Sequence, residues 1–387
     1  MRNRTLNSLV LLGLTVAFIA PRSTAQPAGY FTSPNLVPGL PQTGQFDFGQ
    51  TVTADGLLMI FNSDGILYQA RRGSISEPFT NAAALGPTVN SGAYEQTAAS
   101  LTPNGLVLIF QQDPPGQTPT TSPEMNLFET RRESVDEPFG NATPMPRAID
   151  DYSAFTPWIS PDGLMLLFSS TRPGGKGKED IWVTTRNSLE ETFGDPVNFD
   201  EFFPGSQVNT ADEENGPCLS SDGLVVFVAD LYGVRSGGRG GPDIWMATRP
   251  DRQSPFSPPV NLNDVGLGST LNGTWWEGFV FISRDWPGPG SKLYFSSNRR
   301  NGTFDFDYWE AEWIPLGITG VRPTQGGVQL DFTGKAGRSF SVQYRDTLQQ
   351  ADWTSFGTSI IATNDAVSIR APLPPSGSNR FYRVMTP

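Results

Sequence analysis

A repeated run of residues constrains the fold of this chain more than any other sequence feature. Residues 157–186 read PWISPDGLMLLFSSTRPGGKGKEDIWVTTR, and residues 217–249 read PCLSSDGLVVFVADLYGVRSGGRGGPDIWMATR. Both runs contain an Asp-Gly turn, an apolar strand, a glycine-rich loop and a strand that opens on Asp-Ile-Trp. One such unit cannot bury its own apolar faces, so the repeat predicts several sheets that pack side by side.

The same turn recurs along most of the chain and defines five units. The turns are Asp55-Gly56, Asn104-Gly105, Asp162-Gly163, Asp222-Gly223 and a longer one at Asp285. With 41 glycines and 34 prolines among 387 residues, the composition also favours short strands and turns over helices. The sequence therefore predicts an all-β fold.

A fourth, outer strand is marked by phenylalanine and proline in the first four units, as at Glu77-Pro78-Phe79. The fifth unit lacks it, because the chain leaves at Trp313-Ile314-Pro315. Residues 31–36, FTSPNL, repeat the outer-strand spelling ahead of the first unit. We expect this N-terminal strand to complete the last sheet and to close a ring, which removes an exposed sheet edge.

The spelling S-P-D-G, apolar strand, F-S-S-x-R, glycine loop, D-I-W resembles the WD40-like repeat called PD40, found in TolB and related exported propellers. The match is clearest at Ser160 to Trp182, and the five units together cover residues 30 to 316. The resemblance implies a β-propeller of periplasmic or cell-surface type that acts by binding other macromolecules. The five repeat units predict five blades, which departs from full-length TolB.

The ends of the chain differ from the repeat. Residues 1–25 carry Arg2 and Arg4, an apolar run and the small residues Ser23-Thr24-Ala25, which is typical of a secretory signal cleaved after Ala25. Residues 26–316 form the predicted propeller. From residue 317 to 387, alternating apolar and polar residues predict a small β-sandwich. No later segment is apolar enough to span a membrane, so we expect an exported protein that is periplasmic, cell-surface or extracellular.

Charge and composition exclude several function classes. A formal charge of −12 repels nucleic acid, which we exclude as a partner. The chain contains no histidine, which excludes Ser-His-Asp and Cys-His catalysis and His-ligated zinc. Cys218 is the only cysteine and lies in an apolar strand, which favours a buried inert thiol. Carboxylate chemistry, or a metal held by oxygen ligands, remains open.

An acidic residue precedes the first strand of each unit. These residues are Asp47, Glu95, Asp151, Glu214 and Glu277. We expect them at the mouth of the central channel, where they are our candidate ligand-binding residues. Three interpretations stay open: ion pairs with arginines such as Arg172 and Arg299, which we favour; a Ca²⁺ site that uses Asp212, Glu213 and Glu214; or glycoside hydrolysis by two carboxylates.

The sequence thus predicts an exported, non-catalytic propeller scaffold, with protein as the first partner class and polysaccharide as the second. The alternative is a carboxylate-dependent glycoside hydrolase or lyase with its site in the channel. We assign no catalytic residue, and Ca²⁺ is the one cofactor left open. A cluster of aromatic residues could stack on glycans or serve packing, which we favour: Trp275, Trp276, Trp286, Phe304, Phe306 and Tyr308.

Overall fold

The computed structural model describes residues 29–42, 46–92, 95–113, 125–230, 235–266, 268–300, 302, 305–325, 327–347, 352–371 and 380–385. The predicted signal peptide, residues 1–25, lies outside the described residues. The chain divides into two compact units between Ile314 and Pro315. Within the described part of the chain, no helix is long and apolar enough to cross a membrane.

The repeated part folds into five antiparallel sheets within the described residues. The chain opens with β1 (Gly29–Phe31) and β2 (Asn35–Leu36). Sheet 1 consists of β3 (Asp47–Val52), β4 (Leu58–Ser63), β5 (Ile66–Arg71) and β6 (Thr80–Ala84). Sheet 2 consists of β7 (Glu95–Leu101), β8 (Val107–Asp113), β9 (Asn126–Arg131) and β10 (Thr143–Pro144), and is followed by the one-turn helix α1 (Arg147–Asp150).

The remaining sheets repeat this meander. Sheet 3 consists of β11 (Ala154–Ile159), β12 (Met165–Ser170), β13 (Asp180–Thr185) and β14 (Val197–Asn198), followed by α2 (Phe199–Phe202). Sheet 4 consists of β15 (Asn215–Leu219), β16 (Val225–Ala229), β17 (Ile244–Thr248) and β18 (Val260–Asn261), followed by a 3-10 helix (Leu262–Asp264). Sheet 5 contains β19 (Glu277–Ile282), β20 (Lys292–Ser297) and β21 (Asp307–Pro315). This all-β architecture confirms the predicted fold class, a β-propeller.

The Asp-Gly turns have a local chemical cause. In sheet 3, the Ser160 hydroxyl donates to Asp162 at 2.5 Å, and Asp162 accepts from the Leu164 amide at 3.0 Å. Gly163 follows at φ +74°, a left-handed conformation that glycine adopts without strain. The same hydroxyl-to-side-chain bond forms at the start of each of the five repeated turns: Thr53 to Asp55, Thr102 to Asn104, Ser160 to Asp162, Ser220 to Asp222 and Ser283 to Asp285.

An arginine after the third strand holds each of the first four sheets together from turn to outer strand. In sheet 3, Nε of Arg186 donates to the carbonyl of Gly163 at 2.8 Å, and its guanidinium lies 4.3 Å from the ring centroid of Phe193. The equivalent pairs elsewhere are Arg72 with Phe79, Arg132 with Phe139 and Arg249 with Phe256. These cation–π contacts explain why the Asp-Gly turn and the outer-strand phenylalanine recur together.

A repeated backbone hydrogen bond links each sheet to the next. The residue at the start of a first strand donates its amide to the carbonyl that precedes the third strand of the sheet before it. The bonds are Gln96 to Gly65, Ala154 to Met125, Glu214 to Glu179 and Glu277 to Pro242, at 2.8 to 3.1 Å. A bridge between Phe46 and Phe306 joins sheet 5 to sheet 1 at the same level. The five sheets therefore form a closed ring, with the starts of all first strands at one end.

The N-terminal strands occupy the outer edge of sheet 5. Asn35 pairs with Glu310 and Leu36 with Trp309, while β1 lies beside β21 further along that strand. Phe31 is buried and packs against Trp313 at a centroid distance of 4.9 Å. The first and last segments of the ring are thus held in one sheet.

Each first strand contains a bulge near the ring axis. The register shifts lie between Phe48 and Thr51 in sheet 1 and at the equivalent place in the other four sheets. One residue in each bulge has a positive φ: Gly49, Ala98, Thr156, Gly216 and Phe279. These residues line the axis, where the remaining cavity is about 30 Å³, room for roughly two water molecules. This cavity is therefore too small to hold a sugar.

The C-terminal unit contains two three-stranded sheets. One has the order β22 (Ile318–Thr324), β23 (Gly327–Thr333), β26 (Ala366–Ala371), and the other the order β25 (Thr354–Ile361), β24 (Ser339–Arg345), β27 (Phe381–Met385). Phe332 of the first sheet meets Phe340 of the second edge to face, with ring centroids 5.6 Å apart. These contacts give the unit a core of its own.

Candidate functional site

The bulges define which residues are equivalent at the starts of the first strands. We call the residue two positions before the positive-φ residue the strand-start residue. It occupies the same position relative to the bulge in every sheet. The five strand-start residues are Asp47, Gln96, Ala154, Glu214 and Glu277. Each of them precedes the Asp or Asn of its turn by eight positions. Constant spacing to the turn is therefore the sequence signal that identifies this set.

Three of the five predicted carboxylates are strand-start residues, and two are not. Glu95 lies one residue ahead of Gln96, and a shift of one residue along a strand turns the side chain to the other face. Its side chain is half-buried and packs against Gly65 of sheet 1. Asp151 follows helix α1, is exposed, and forms an ion pair with Arg147 at 3.5 Å. The structure therefore brings Asp47, Glu214 and Glu277 to equivalent positions and leaves Glu95 and Asp151 elsewhere.

The carboxylate of Glu277 is fully buried and saturated by donors of the protein. One oxygen accepts from Ser297 at 3.1 Å and from Arg299 at 3.0 Å, and the other accepts from the amide of Gly273 at 3.0 Å. Burial raises the pKa of Glu277 to about 7, and the charge of Arg299 opposes that rise.

Glu214 repeats this arrangement one sheet earlier. Its carboxylate accepts from the hydroxyl of Thr210 at 2.6 Å and from the Thr210 amide at 2.9 Å, and it pairs with Arg235. The side chain is fully buried, and burial raises the pKa of Glu214 to about 7 against the influence of Arg235. Asp47, the third member, is buried as well and accepts from the Ser63 hydroxyl at 2.6 Å.

The arginines that accompany these positions stack on the tryptophan of the third strand. Arg172 lies 5.1 Å from the ring centroid of Trp182, Arg235 4.9 Å from Trp245, and Arg299 5.1 Å from Trp309. Arg172 and Arg299 belong to the F-S-S-x-R pattern and were named from the sequence. Sequence reasoning missed Arg235, because unit four replaces that spelling and supplies its arginine from the glycine-rich loop.

The three residues proposed for Ca²⁺ face cations of the protein. Glu213 pairs with Lys178 at 3.0 Å, Asp212 lies 3.8 Å from Arg235, and Glu214 pairs with Arg235. Calcium usually takes six to eight oxygen ligands. Over the described ranges, no group of three or more acidic, histidine or cysteine residues is placed to hold a metal ion.

In sheets 3, 4 and 5, the residue two positions before the strand-start residue has an exposed side chain. Tyr152 is 49% exposed, the Asp212 side chain 55% and Trp275 42%. We call these three residues the rim, because the inter-sheet bonds place all strand starts at one end of the ring. The equivalent residues 45 and 94 lie outside the described residues.

Most members of the predicted aromatic cluster serve packing. Trp286, Phe306 and Tyr308 are buried. Trp276 packs against Phe306 edge to face, with centroids 4.9 Å apart. Phe304 lies outside the described residues. Trp275 alone among the described members is exposed, and it belongs to the rim.

No family model matches the sequence, and no curated protein matches it either. Solved structures with a similar fold include TolB from Acinetobacter baumannii, with 13% identity, a TM-score of 0.35 and coverage of 69% of this chain and 54% of that chain. The chain thus spans about half the length of that protein. Putative TolB from Agrobacterium tumefaciens has 13% identity, a TM-score of 0.37 and coverage of 88% and 90%. The endo-arabinase from Bacteroides thetaiotaomicron VPI-5482 has 14% identity, a TM-score of 0.46 and coverage of 75% and 98%.

The ring of antiparallel sheets defines the class of this protein as a β-propeller. At these identities the likeness concerns the fold alone. Activity has to be argued from the side chains.

Proposed function

We propose that this chain is an exported, non-catalytic propeller scaffold that binds a protein partner at the cell envelope or outside the cell, with polysaccharide as the second partner class. The observation that supports it is the state of the strand-start carboxylates. Glu214 and Glu277 are fully buried, and their oxygens are occupied by Arg235, Arg299 and neighbouring donors. Such groups join segments within one sheet and expose no surface to a substrate.

The rim supplies the binding surface in this proposal. Tyr152 and Trp275 expose large aromatic surfaces on either side of Asp212. Exposed aromatic residues are enriched at binding surfaces because they bury much area at little conformational cost. Sheets 3, 4 and 5 thus present apolar, acidic and apolar groups in sequence at one end of the ring.

Photo-crosslinking tests the proposal. A photo-reactive amino acid is introduced at position 152 or 275, and crosslinking is carried out in the cells that make the protein. We expect the same discrete adduct from both rim positions and its loss when Asp212→Lys is added. The control position is Ile75, which is 64% exposed beside the Gly56 turn at the opposite end of sheet 1. An identical adduct pattern at Ile75, or no adduct from either rim position, would contradict the proposal.

One observation favours the alternative, a carboxylate-dependent glycoside hydrolase. A pKa near 7 suits a general acid, and burial gives both Glu214 and Glu277 that value. A hydrolase must also open these carboxylates to a sugar, and would lose turnover in Glu214→Gln or Glu277→Gln. Polysaccharide turnover that depends on either residue would identify this function.

A further inference from the structure

The C-terminal unit differs in charge from the rest of the chain. Residues 315–387 contain seven Lys or Arg and four Asp or Glu, so their net charge is +3. Residues 1–314 contain 20 Lys or Arg and 35 Asp or Glu, so their net charge is −15. A basic unit in an otherwise acidic chain indicates a surface that attracts anionic groups.

One face of the sheet β25–β24–β27 carries basic and polar side chains. Val342 of β24 is buried, so the alternation of a strand places Gln343 and Arg345, one and three residues further on, on the opposite face. Gln343 pairs directly with Arg383 of β27 and with Ser355 of β25, which therefore share that face. We call it the outer face, because it points away from the core of the unit.

Two guanidinium groups on the outer face converge on the ring of Trp353. Arg345 lies 4.5 Å and Arg383 lies 4.4 Å from the ring centroid. Nε and Nη2 of Arg383 donate to the side-chain carbonyl of Gln343 at 2.8 and 2.6 Å, and its Nη1 has no acceptor among the described residues. These four side chains are half-buried and Ser355 is exposed, so a ligand can reach them from solvent.

The other stacked arginines are neutralised within the protein. Arg299 of the propeller pairs with Glu277 at 3.0 Å. In the same sheet as the outer face, Arg380 stacks on a tyrosine at 4.0 Å and pairs with Asp346 at 2.6 Å. Arg383 has no carboxylate partner within the described part of the chain, since it donates to a neutral amide. Its charge therefore remains available to an external anion.

The two cations on the outer face also repel each other. Burial and the charge of Arg345 lower the pKa of Arg383. An anion placed beside both guanidinium groups would replace this repulsion with attraction. The outer face is thus complementary to a negatively charged group.

The neutral groups around the cations indicate which anion fits. A guanidinium binds a carboxylate through two parallel hydrogen bonds. The hydroxyl of Ser355, which accepts from Gln343 at 3.4 Å, can also bond to a sugar hydroxyl. The ring of Trp353 offers apolar surface to the C–H groups of a sugar. A phosphate or a peptide carboxylate would use the cations alone, whereas a carboxylated sugar uses all these groups.

We propose that the outer face binds an acidic sugar, a uronate residue of an oligosaccharide, with its carboxylate held by Arg345 and Arg383 and its ring against Trp353. The proposal goes beyond the scaffold function and does not depend on it, because the residues involved all belong to the C-terminal unit.

Titration of the full chain with trigalacturonate tests the proposal. The readouts are calorimetry and the indole N–H resonance of Trp353, which Trp353→Phe assigns. We expect saturable binding that shifts this resonance, and binding at least tenfold weaker for neutral galactotriose. Arg345→Gln and Arg383→Gln should each weaken trigalacturonate binding tenfold or more, because each removes charged hydrogen bonds to the carboxylate.

Arg370→Gln is the matched control. Arg370 is exposed on β26 of the other sheet, and its loss changes the net charge by the same amount. Affinity for trigalacturonate should stay unchanged in this variant. Melting temperatures check that each variant folds, and Arg383→Lys serves if Arg383→Gln does not. The lysine variant should also weaken binding, because an ammonium group cannot form two parallel bonds to a carboxylate.

Four results would overturn the proposal. They are an absence of trigalacturonate binding up to its solubility limit, equal affinity for galactotriose, an equal loss of affinity in Arg370→Gln and Arg383→Gln, and tighter binding of triglutamate or of a thymidine trinucleotide than of trigalacturonate. None of these results bears on the crosslinking at the rim, so the two proposals fail separately.

Discussion

Glu277 and Arg299 form a 3.0 Å ion pair in which the glutamate side chain is fully buried and the arginine side chain is 13% exposed. The arginine also stacks on Phe295 and Trp309 of the same sheet. The pair therefore joins the start of a first strand to the aromatic layer behind it. This arrangement is the physical reason for assigning the strand-start carboxylates to structure.

Arg299→Ala should destabilise the protein strongly. Removal of the cation leaves the Glu277 carboxylate buried without its charged partner, which typically costs about 3–5 kcal/mol. Urea unfolding at pH 7.5 measures the change. Arg147→Ala is the control, because Arg147 is 94% exposed and its ion pair with Asp151 contributes about 0–1 kcal/mol. Equal effects of the two substitutions would contradict the structural role of Glu277.

The stability of the protein should fall as the pH rises from 5 to 8. Burial raises the pKa of Asp150, Glu179, Glu214 and Glu277 to about 7, whereas unfolded Asp and Glu titrate near 4. Between these values the folded state binds more protons than the unfolded state. The stabilisation that the folded state gains from protonation of these four groups is therefore fully present below about pH 4. It is lost as the pH rises through about 7.

Melting temperatures of the wild type and of a Glu214→Gln, Glu277→Gln double variant check this dependence. The double variant should lose less stability over the same pH range, since two of the titrating groups are gone. Glu77→Gln, at an exposed position, should keep the slope of the wild type. A wild-type melting temperature that rises steadily from pH 5 to 8 would show that burial does not dominate these groups.

The bulges at the axis predict opposite effects for two small substitutions. Ala98 has φ +38°, so Ala98→Gly should relieve left-handed strain and stabilise the fold by up to about 1 kcal/mol. Gly216 has φ +57°, and a Cβ added to it would lie 3.6 Å from the nearest atom, the backbone nitrogen of Phe279. Gly216→Ala should therefore cost about 1 kcal/mol through strain alone. Chemical denaturation measures both, and matching signs would contradict the conformations described.

The N-terminal strand should be required for ring stability. Phe31→Ala removes a buried ring that packs on Trp313 and should cost about 3–5 kcal/mol. Ile75→Ala, at an exposed apolar site, should have little effect. Deletion of residues 26–40 should lower the melting temperature further, because it also exposes the edge of β21. An unchanged melting temperature after deletion would show that the ring does not need this strand.

Most of the fold could be predicted from short-range patterns in the sequence. The turn at Asp162-Gly163 follows from the residues that compose it, since the Ser160 hydroxyl, the Asp162 side chain and a positive-φ glycine act within five positions. The repeat of this turn, with the aromatic strand after it, predicted several sheets packed side by side, and its residues gave the resemblance to a propeller repeat. That inference held because the same hydrogen bonds form within each repeated turn.

The candidate site depended on contacts that the sequence does not display. The bulges change the register of each first strand, so Glu95 and Gln96 could not be told apart without the constant spacing to the turn. Arg235 reaches Glu214 from a loop whose spelling departs from the repeat.

We propose that the strand-start carboxylates are structural and that the protein does not hydrolyse glycans. Reducing-end release from a panel of arabinan, xylan, galactan and glucan, measured from pH 5 to 8 with purified protein, tests it most directly. We predict no release above a heat-inactivated control for the wild type, Glu214→Gln or Glu277→Gln. Release by the wild type that disappears in either glutamine variant would show that these carboxylates are catalytic and would identify a hydrolase.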